Sequence, residues 1–174
     1  NELAQVDGSN GFVLRCVGRR DYAGRSASSA GDLNGDGFHD LIIGAIGGQS
    51  GPGKAYVLFG SDRVFPAVFD LDEIDGTNGL VVYGREPGDR LAEVVRSAGD
   101  VNGDGLDDVI ISAPGAQQDG APLKGETYVL FGSVGEFPAG ILPSDLNGDN
   151  GFVIAGGAFG DTVNSAGDID GDGY

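Results

Sequence analysis

The sequence predicts an all-β chain. It reads as part of a β-propeller, with two complete four-stranded antiparallel blades and flanking strands. Three observations lead there. An acidic loop recurs three times, and its first aspartates, Asp32, Asp100 and Asp168, stand 68 residues apart. A fixed interval marks one structural unit copied along the chain. The first two loops are followed by β-branched runs, Leu41-Ile-Ile-Gly-Ala and Val109-Ile-Ile-Ser-Ala, which have no helical period. Each cycle holds four short strand-like segments joined by turns, which is the arithmetic of a propeller blade. A parallel β-helix would need much shorter coils.

The elements follow in order. The chain opens on a fourth strand at 12–17. The first full cycle begins near Ser26, with a first strand ending at Ala30-Gly31. The acidic loop follows, then a second strand at 41–45 and a glycine-rich loop at 47–53. A third strand at 55–59 ends on Gly60. A long connection, 61–79, contains Phe65-Pro66 and leads to a fourth strand at 80–83. The second cycle repeats this at 93–98, 109–113, 127–131 and 152–155. Shared punctuation includes Tyr-Val-Leu-Phe-Gly-Ser at 56–61 and 128–133, and Phe-Pro-Ala at 65–67 and 137–139. The repeat units are 26–93 and 94–161, with a partial repeat at 162–174.

The copied loop carries the chemistry. It reads Asp32-Leu-Asn34-Gly-Asp36-Gly-Phe38-His-Asp40, then Asp100-Val-Asn102-Gly-Asp104-Gly-Leu106-Asp-Asp108, then Asp168-Ile-Asp170-Gly-Asp172-Gly-Tyr174. Oxygen side chains at alternate positions form a cage for a hard divalent cation, and Ca²⁺ fits best. Position 7 offers a backbone carbonyl, so Phe38, Leu106 and Tyr174 are free to vary. Glycine at position 6 permits the sharp turn. The fourth carboxylate stands at position 9, as Asp40 and Asp108. An EF-hand or dockerin would want a glutamate at position 12, where Ile43 and Ile111 stand. The third sequence stops at Tyr174, before a position-9 carboxylate, so that loop is expected to be empty, disordered or weaker. A look-alike, Asp145-Leu-Asn147-Gly-Asp149-Asn150-Gly, has Asn150 at the turning position. It aligns with segments beginning at Glu73 and Gln5 that lack the acidic alternation. All three read as turns before an outer strand rather than as metal sites.

Composition narrows the classes. The 174 residues carry a formal net charge of −17, much of it in the loops, which argues against nucleic acid. The 34 glycines have no three-residue period, which excludes collagen. A hydrophobic content of 40% is enough for a folded core. No apolar stretch is long enough to span a membrane, and no leader opens the sequence. The lone Cys16 reads as a small buried hydrophobe and the lone His39 as a solvated loop residue.

Ser-Ala-Gly-Asp-x-Asn-Gly-Asp-Gly followed by Ile-Ile-Gly-Ala or Ile-Ile-Ser-Ala-Pro resembles the FG-GAP repeats of integrin α-chain N-terminal propellers. The Tyr-Val-Leu-Phe-Gly-Ser element looks more like the bacterial-type branch. The namesake Phe-Gly survives only at Phe159-Gly160; Ala23-Gly24 and Leu91-Ala92 replace it elsewhere. The resemblance implies a seven-bladed ring, hence remaining blades in a longer parent chain. It also implies an extracellular or cell-surface (secreted) module for adhesion or recognition of a protein or glycan, with structural Ca²⁺ and no membrane insertion.

On a propeller the loops between first and second strands share one face. Partner recognition is expected on the opposite face, at Gln49, Lys54, Gln117, Gln118 and Lys124. The alternative is a non-catalytic accessory propeller of a secreted hydrolase or lyase. Nothing in the sequence forms a catalytic set: there is no second histidine and no carboxylate pair outside the loops.

Overall fold

The computed structural model describes residues 6–16, 21–48, 51–117, 124–156 and 160–167. Eleven strands occur among them: β1 (Val13–Arg15), β2 (Ser26–Gly31), β3 (Asp40–Ala45), β4 (Lys54–Leu58), β5 (Val68–Asp70), β6 (Gly79–Tyr83), β7 (Val95–Gly99), β8 (Asp108–Gln117), β9 (Lys124–Leu130), β10 (Gly140–Ile141) and β11 (Gly151–Ala155). Two four-stranded antiparallel blades result, β2-β3-β4-β6 and β7-β8-β9-β11. The described residues contain no α-helix, only two single 3₁₀ turns.

Successive residues point to opposite faces of a strand. Ile42 and Ile43 therefore enter different cores. Ile42, Ala55, Val57, Leu80 and Val82 pack against Val95, Val109, Ile111, Ala113 and Tyr128 of the second blade. Ile43, Ala45, Tyr56 and Val81 turn the other way, against Leu14 and Cys16. A blade buried on both faces needs runs such as Leu41-Ile-Ile rather than polar alternation, and this is why the strands were legible.

Each of the two described acidic loops joins two antiparallel strands, as expected. The hairpins are pinched by matching register shifts, between Ser29 and Gly31 and between Ser97 and Gly99. Gly31 and Gly99 take φ of 70° and 77°, a region where side chains are rarely tolerated. In each case the serine Oγ accepts the glycine N–H at 3.2 Å.

The second blade differs from expectation in length. β8 runs on from Ala113 to Gln117, and β9 begins at Lys124, making a longer ribbon with a further register irregularity. The sequence sets Lys54 and Lys124 as the corresponding ends of the two second-to-third loops. The pairing corrects this: Lys54 faces Ala45, and the residue facing Ala113 is Glu126. Glu126 therefore stands 126 − 54 = 72 residues after Lys54, beyond the 68-residue interval, because the second loop is longer.

The long third-to-fourth connection holds an element that the sequence reading left as loop. After Phe65-Pro66, β5 pairs in parallel with β1; after Phe137-Pro138, β10 pairs in parallel with β6. Each connection therefore straps the outer edge of the preceding fourth strand, covering a row of otherwise open backbone groups. The signal was the repeated Phe-Pro-Ala, because proline forces the residue before it into extended backbone. Strapped and packed against the next blade, Leu80, Val81 and Val82 are 0%, 5% and 3% exposed; their counterparts Phe152, Val153 and Ile154 on β11 are 40%, 37% and 37% exposed.

Ile141 tests the strap. It is 5% exposed and belongs to the core between the blades. Ile141→Ala should cost about 2–4 kcal/mol. Amide exchange should quicken at Val81, whose N–H donates to the Ala139 carbonyl, although that residue lies in the first blade. Unchanged protection there would mean that the strap holds nothing.

Candidate metal centre

The two described loops share most of their hydrogen bonds. In the first, the Asp32 carboxylate accepts the N–H groups of Asp36 and Gly37, each at 3.0 Å. Asn34 Oδ1 also accepts Asp36 N–H at 3.1 Å, while its Nδ2 donates to Asp36 Oδ2 at 3.0 Å. Asp36 Oδ1 accepts Phe38 N–H at 2.9 Å. In the second, Asp100 accepts Asp104 N–H at 3.1 Å and Gly105 N–H at 2.8 Å. Asn102 Nδ2 donates to Asp104 Oδ2 at 2.8 Å, and Asp104 Oδ1 accepts Leu106 N–H at 2.9 Å. The alternation thus has a purpose within the chain itself: each carboxylate gathers the N–H groups ahead of it and winds the loop.

Position 9 is deeper. Asp40 is 2% exposed and Asp108 fully buried. Asp40 accepts Leu33 N–H at 2.9 Å and Gly60 N–H at 2.8 Å; Asp108 accepts Val101 N–H and Gly132 N–H, both at 2.8 Å. Each ties its loop to the end of the third strand. Burial pushes the Asp40 carboxyl up to about 6 despite those two N–H groups, and the charges of Asp36 and Asp32 push the same way. Asp108 is raised for the same reasons, with Asp104 and Asp100 as the neighbours. A buried carboxylate under pressure from like charges favours either a proton or a cation.

The set fits a hard divalent ion in kind. Side-chain oxygens come from Asp32, Asn34, Asp36 and Asp40, with the Phe38 carbonyl beside them; Asp100, Asn102, Asp104, Asp108 and the Leu106 carbonyl match. It does not form a closed cage. Among the described residues, no group of three or more acidic, histidine or cysteine side chains is drawn together closely enough to hold an ion. Their oxygens are turned onto loop N–H groups instead. The third-loop positions Asp168, Asp170, Asp172 and Tyr174 lie outside the described residues.

The look-alike segments behave as turns. Asn10, Asn78 and Asn150 each accept, through Oδ1, the N–H of residue 7, 75 or 147, at 3.2, 3.1 and 3.0 Å. Cys16 is half-buried, with Sγ 3.3 Å from Asp21 and 3.7 Å from the Tyr56 hydroxyl, and His39 is exposed.

Three features escaped the sequence reading. Asp107, on the metal face, accepts the Asp32 N–H at 2.9 Å. Arg85 pairs with Glu126, which is 1% exposed and also accepts the Tyr128 hydroxyl. Nothing local in the sequence reports either contact, since both cross from one blade to the next. Equivalent clefts, of about 500 and 590 Å³, also open on the metal face beside the two loops. The first includes Arg63; the second is lined by Asp104, Glu136, Asp145 and Asp149 without a basic residue. On the opposite face, Lys54 holds its ammonium 5.9 and 5.5 Å from the rings of Tyr56 and Tyr83. Gln49 and Gln118 lie outside the described residues.

Comparison with known proteins agrees with this geometry. The model of the FG-GAP repeat matches residues 23–58 and 97–130. Integrin alpha-4 of Xenopus laevis is 33% identical over 155 residues, covering 86% of this chain and 13% of that protein. Integrin alpha-5 of Xenopus laevis is 30% identical over 88% of this chain and 14% of that protein. Phosphatidylinositol-glycan-specific phospholipase D of Homo sapiens is 35% identical over 62% of this chain and 13% of that protein. The chain spans about an eighth of the length of these relatives.

Proposed function

We propose, from the premise that the chain carries FG-GAP repeats and is homologous to integrin α chains, that it is a calcium-stabilised β-propeller module serving adhesion or recognition of a protein or glycan at the cell surface or outside the cell. The carrying observation is the shared winding of the two acidic loops around hard oxygen donors. Bound there, a divalent cation neutralises clustered carboxylates. The chain's own part is to hold the oxygens: Asp32 and Asp100 wind the loops, and Asp40 and Asp108 anchor them to the third strands. Recognition belongs on the opposite face, where the loops after β3 and β8 differ in length, because variation on a rigid scaffold is where specificity resides. The repeat units 26–93 and 94–161 serve as blades of a larger ring.

A second reading has an observation of its own. The phospholipase D relatives carry an enzyme's name, which supports an accessory, non-catalytic propeller beside a hydrolase. Both readings require the cation. Extracellular sites of this class hold Ca²⁺ with Kd of about 10⁻⁴–10⁻³ M. At ~1 mM calcium, a site at the tight end adds about 1.4 kcal/mol. Calorimetric titration of the chain should find saturable calcium binding in that range, and chelator should lower the melting temperature. Identical melting with calcium and with chelator would sink the structural-cation reading.

A further inference from the structure

The loops are not independent. Asp107 stands at position 8 of the second loop, between the Leu106 carbonyl and Asp108. Its carboxylate leaves its own blade and accepts the N–H of Asp32, the first oxygen donor of the first loop, at 2.9 Å. Its own N–H returns to the Asp32 carbonyl at 3.3 Å, and the Ser133 N–H reaches the Leu33 carbonyl at 2.9 Å. The approach is close enough to dictate a residue: a Cβ on Gly31 would lie 2.1 Å from Asp107 Cγ.

We propose that Asp107 is a positioning residue that couples the two cation loops, so that filling the second loop raises the affinity of the first. This rests on the cation reading above. Leu106 and Asp108 both belong to the second oxygen set, so an ion held there fixes the chain on either side of Asp107. Fixing Asp107 fixes the Asp32 backbone and the kink at Gly31. The first loop then binds without having to order that segment itself. Linkage makes the effect reciprocal: filling the first loop strengthens the second by the same factor.

The test is a calcium titration of the whole chain by amide NMR. Gly37 reports the first loop and Gly105 the second, since each donates to the leading aspartate of its loop. Asp107→Ala should weaken the first loop about tenfold while the second is filled, the scale of one charge-assisted hydrogen bond, and by linkage weaken the second to the same extent while the first is filled. Asp107→Asn keeps an oxygen for the Asp32 N–H but no charge, and should weaken the first loop about threefold. It decides the matter should the alanine variant not fold. Asp104→Ala, which disables the second loop, should weaken the first in the native background and not in Asp107→Ala. Equal first-loop affinity in all three residue-107 proteins would overturn the coupling. So would a first loop that Asp104→Ala weakens as much in Asp107→Ala as in the native background, the mark of a merely structural residue. If neither glycine responds to calcium in the unmodified chain, the cation reading falls first and the coupling with it.

Discussion

Asp40→Ala should destabilise the calcium-loaded protein by roughly 3–5 kcal/mol and the chelated protein by far less. Two opposing effects decide this. The substitution strands the N–H groups of Leu33 and Gly60, at about 1–3 kcal/mol each when buried. It also removes a charge that is costly to keep: a carboxyl pushed to about 6 from its ordinary 3.8 holds its ionised form at a penalty of about 3 kcal/mol. Without metal the two nearly offset. With calcium the ion already relieves the charge, so only the loss is felt, and the cation's own contribution of about 1.4 kcal/mol goes with it. Thermal melts with and without chelator measure the difference. Equal losses in both conditions would show that Asp40 is an anchor and never a ligand.

The same residue gives the chelated protein a pH dependence with a defined sign. A raised carboxyl pKa means that the folded state binds the proton more tightly than the unfolded chain. Its contribution to stability is full below about 4 and is lost as pH rises through about 6. Asp40→Ala should remove that part of the slope. A slope unchanged by the substitution would place the titration elsewhere.

Arg85→Ala should cost about 3–5 kcal/mol, because it leaves Glu126 charged and buried with only the Tyr128 hydroxyl to support it. Among the described residues, Glu126 Oε1 already has no hydrogen-bond partner. The same surroundings push the Tyr128 hydroxyl well above its ordinary value, chiefly through burial and then through its bond to Glu126. Adding Glu126→Gln to Arg85→Ala should recover part of the loss, since the stranded charge disappears. Chemical denaturation of the single and double variants measures this. A double variant no more stable than Arg85→Ala would mean that arginine packing, not charge, carries the effect.

The sequence was most informative where the chain interacts with itself locally. The blades were readable because Leu41-Ile-Ile alternates between two cores, while Val109-Ile-Ile places Val109 and Ile111 in the core between the blades. The loops were readable because Asp32, Asn34 and Asp36 act on N–H groups at most five residues away. What escaped is contact across blades. Asp107 and Asp32 stand in different repeats, as do Arg85 and Glu126, and no local pattern states that they meet. Lys54 and Glu126 show the limit most clearly. They face equivalent alanines, yet one chain position holds a cation over tyrosines and the other a carboxylate against arginine. An inserted stretch of loop had moved them out of the simple interval, so counting could not align them. The straps were missed for a related reason. Segments as short as Gly140–Ile141 carry almost no period of their own, and they are strands only because the edge they land on is already there.

Those straps run one way. Each repeat reaches back to fasten the one before it, never the one after. A ribosome delivers the chain in the same direction. β1 is complete at Arg15 but waits for Val68, and β6 is complete at Tyr83 but waits for Gly140. During synthesis every blade therefore spends time with a finished sheet and a bare outer edge. The newest blade is always the vulnerable one, and the arrival of its successor is the event that seals it.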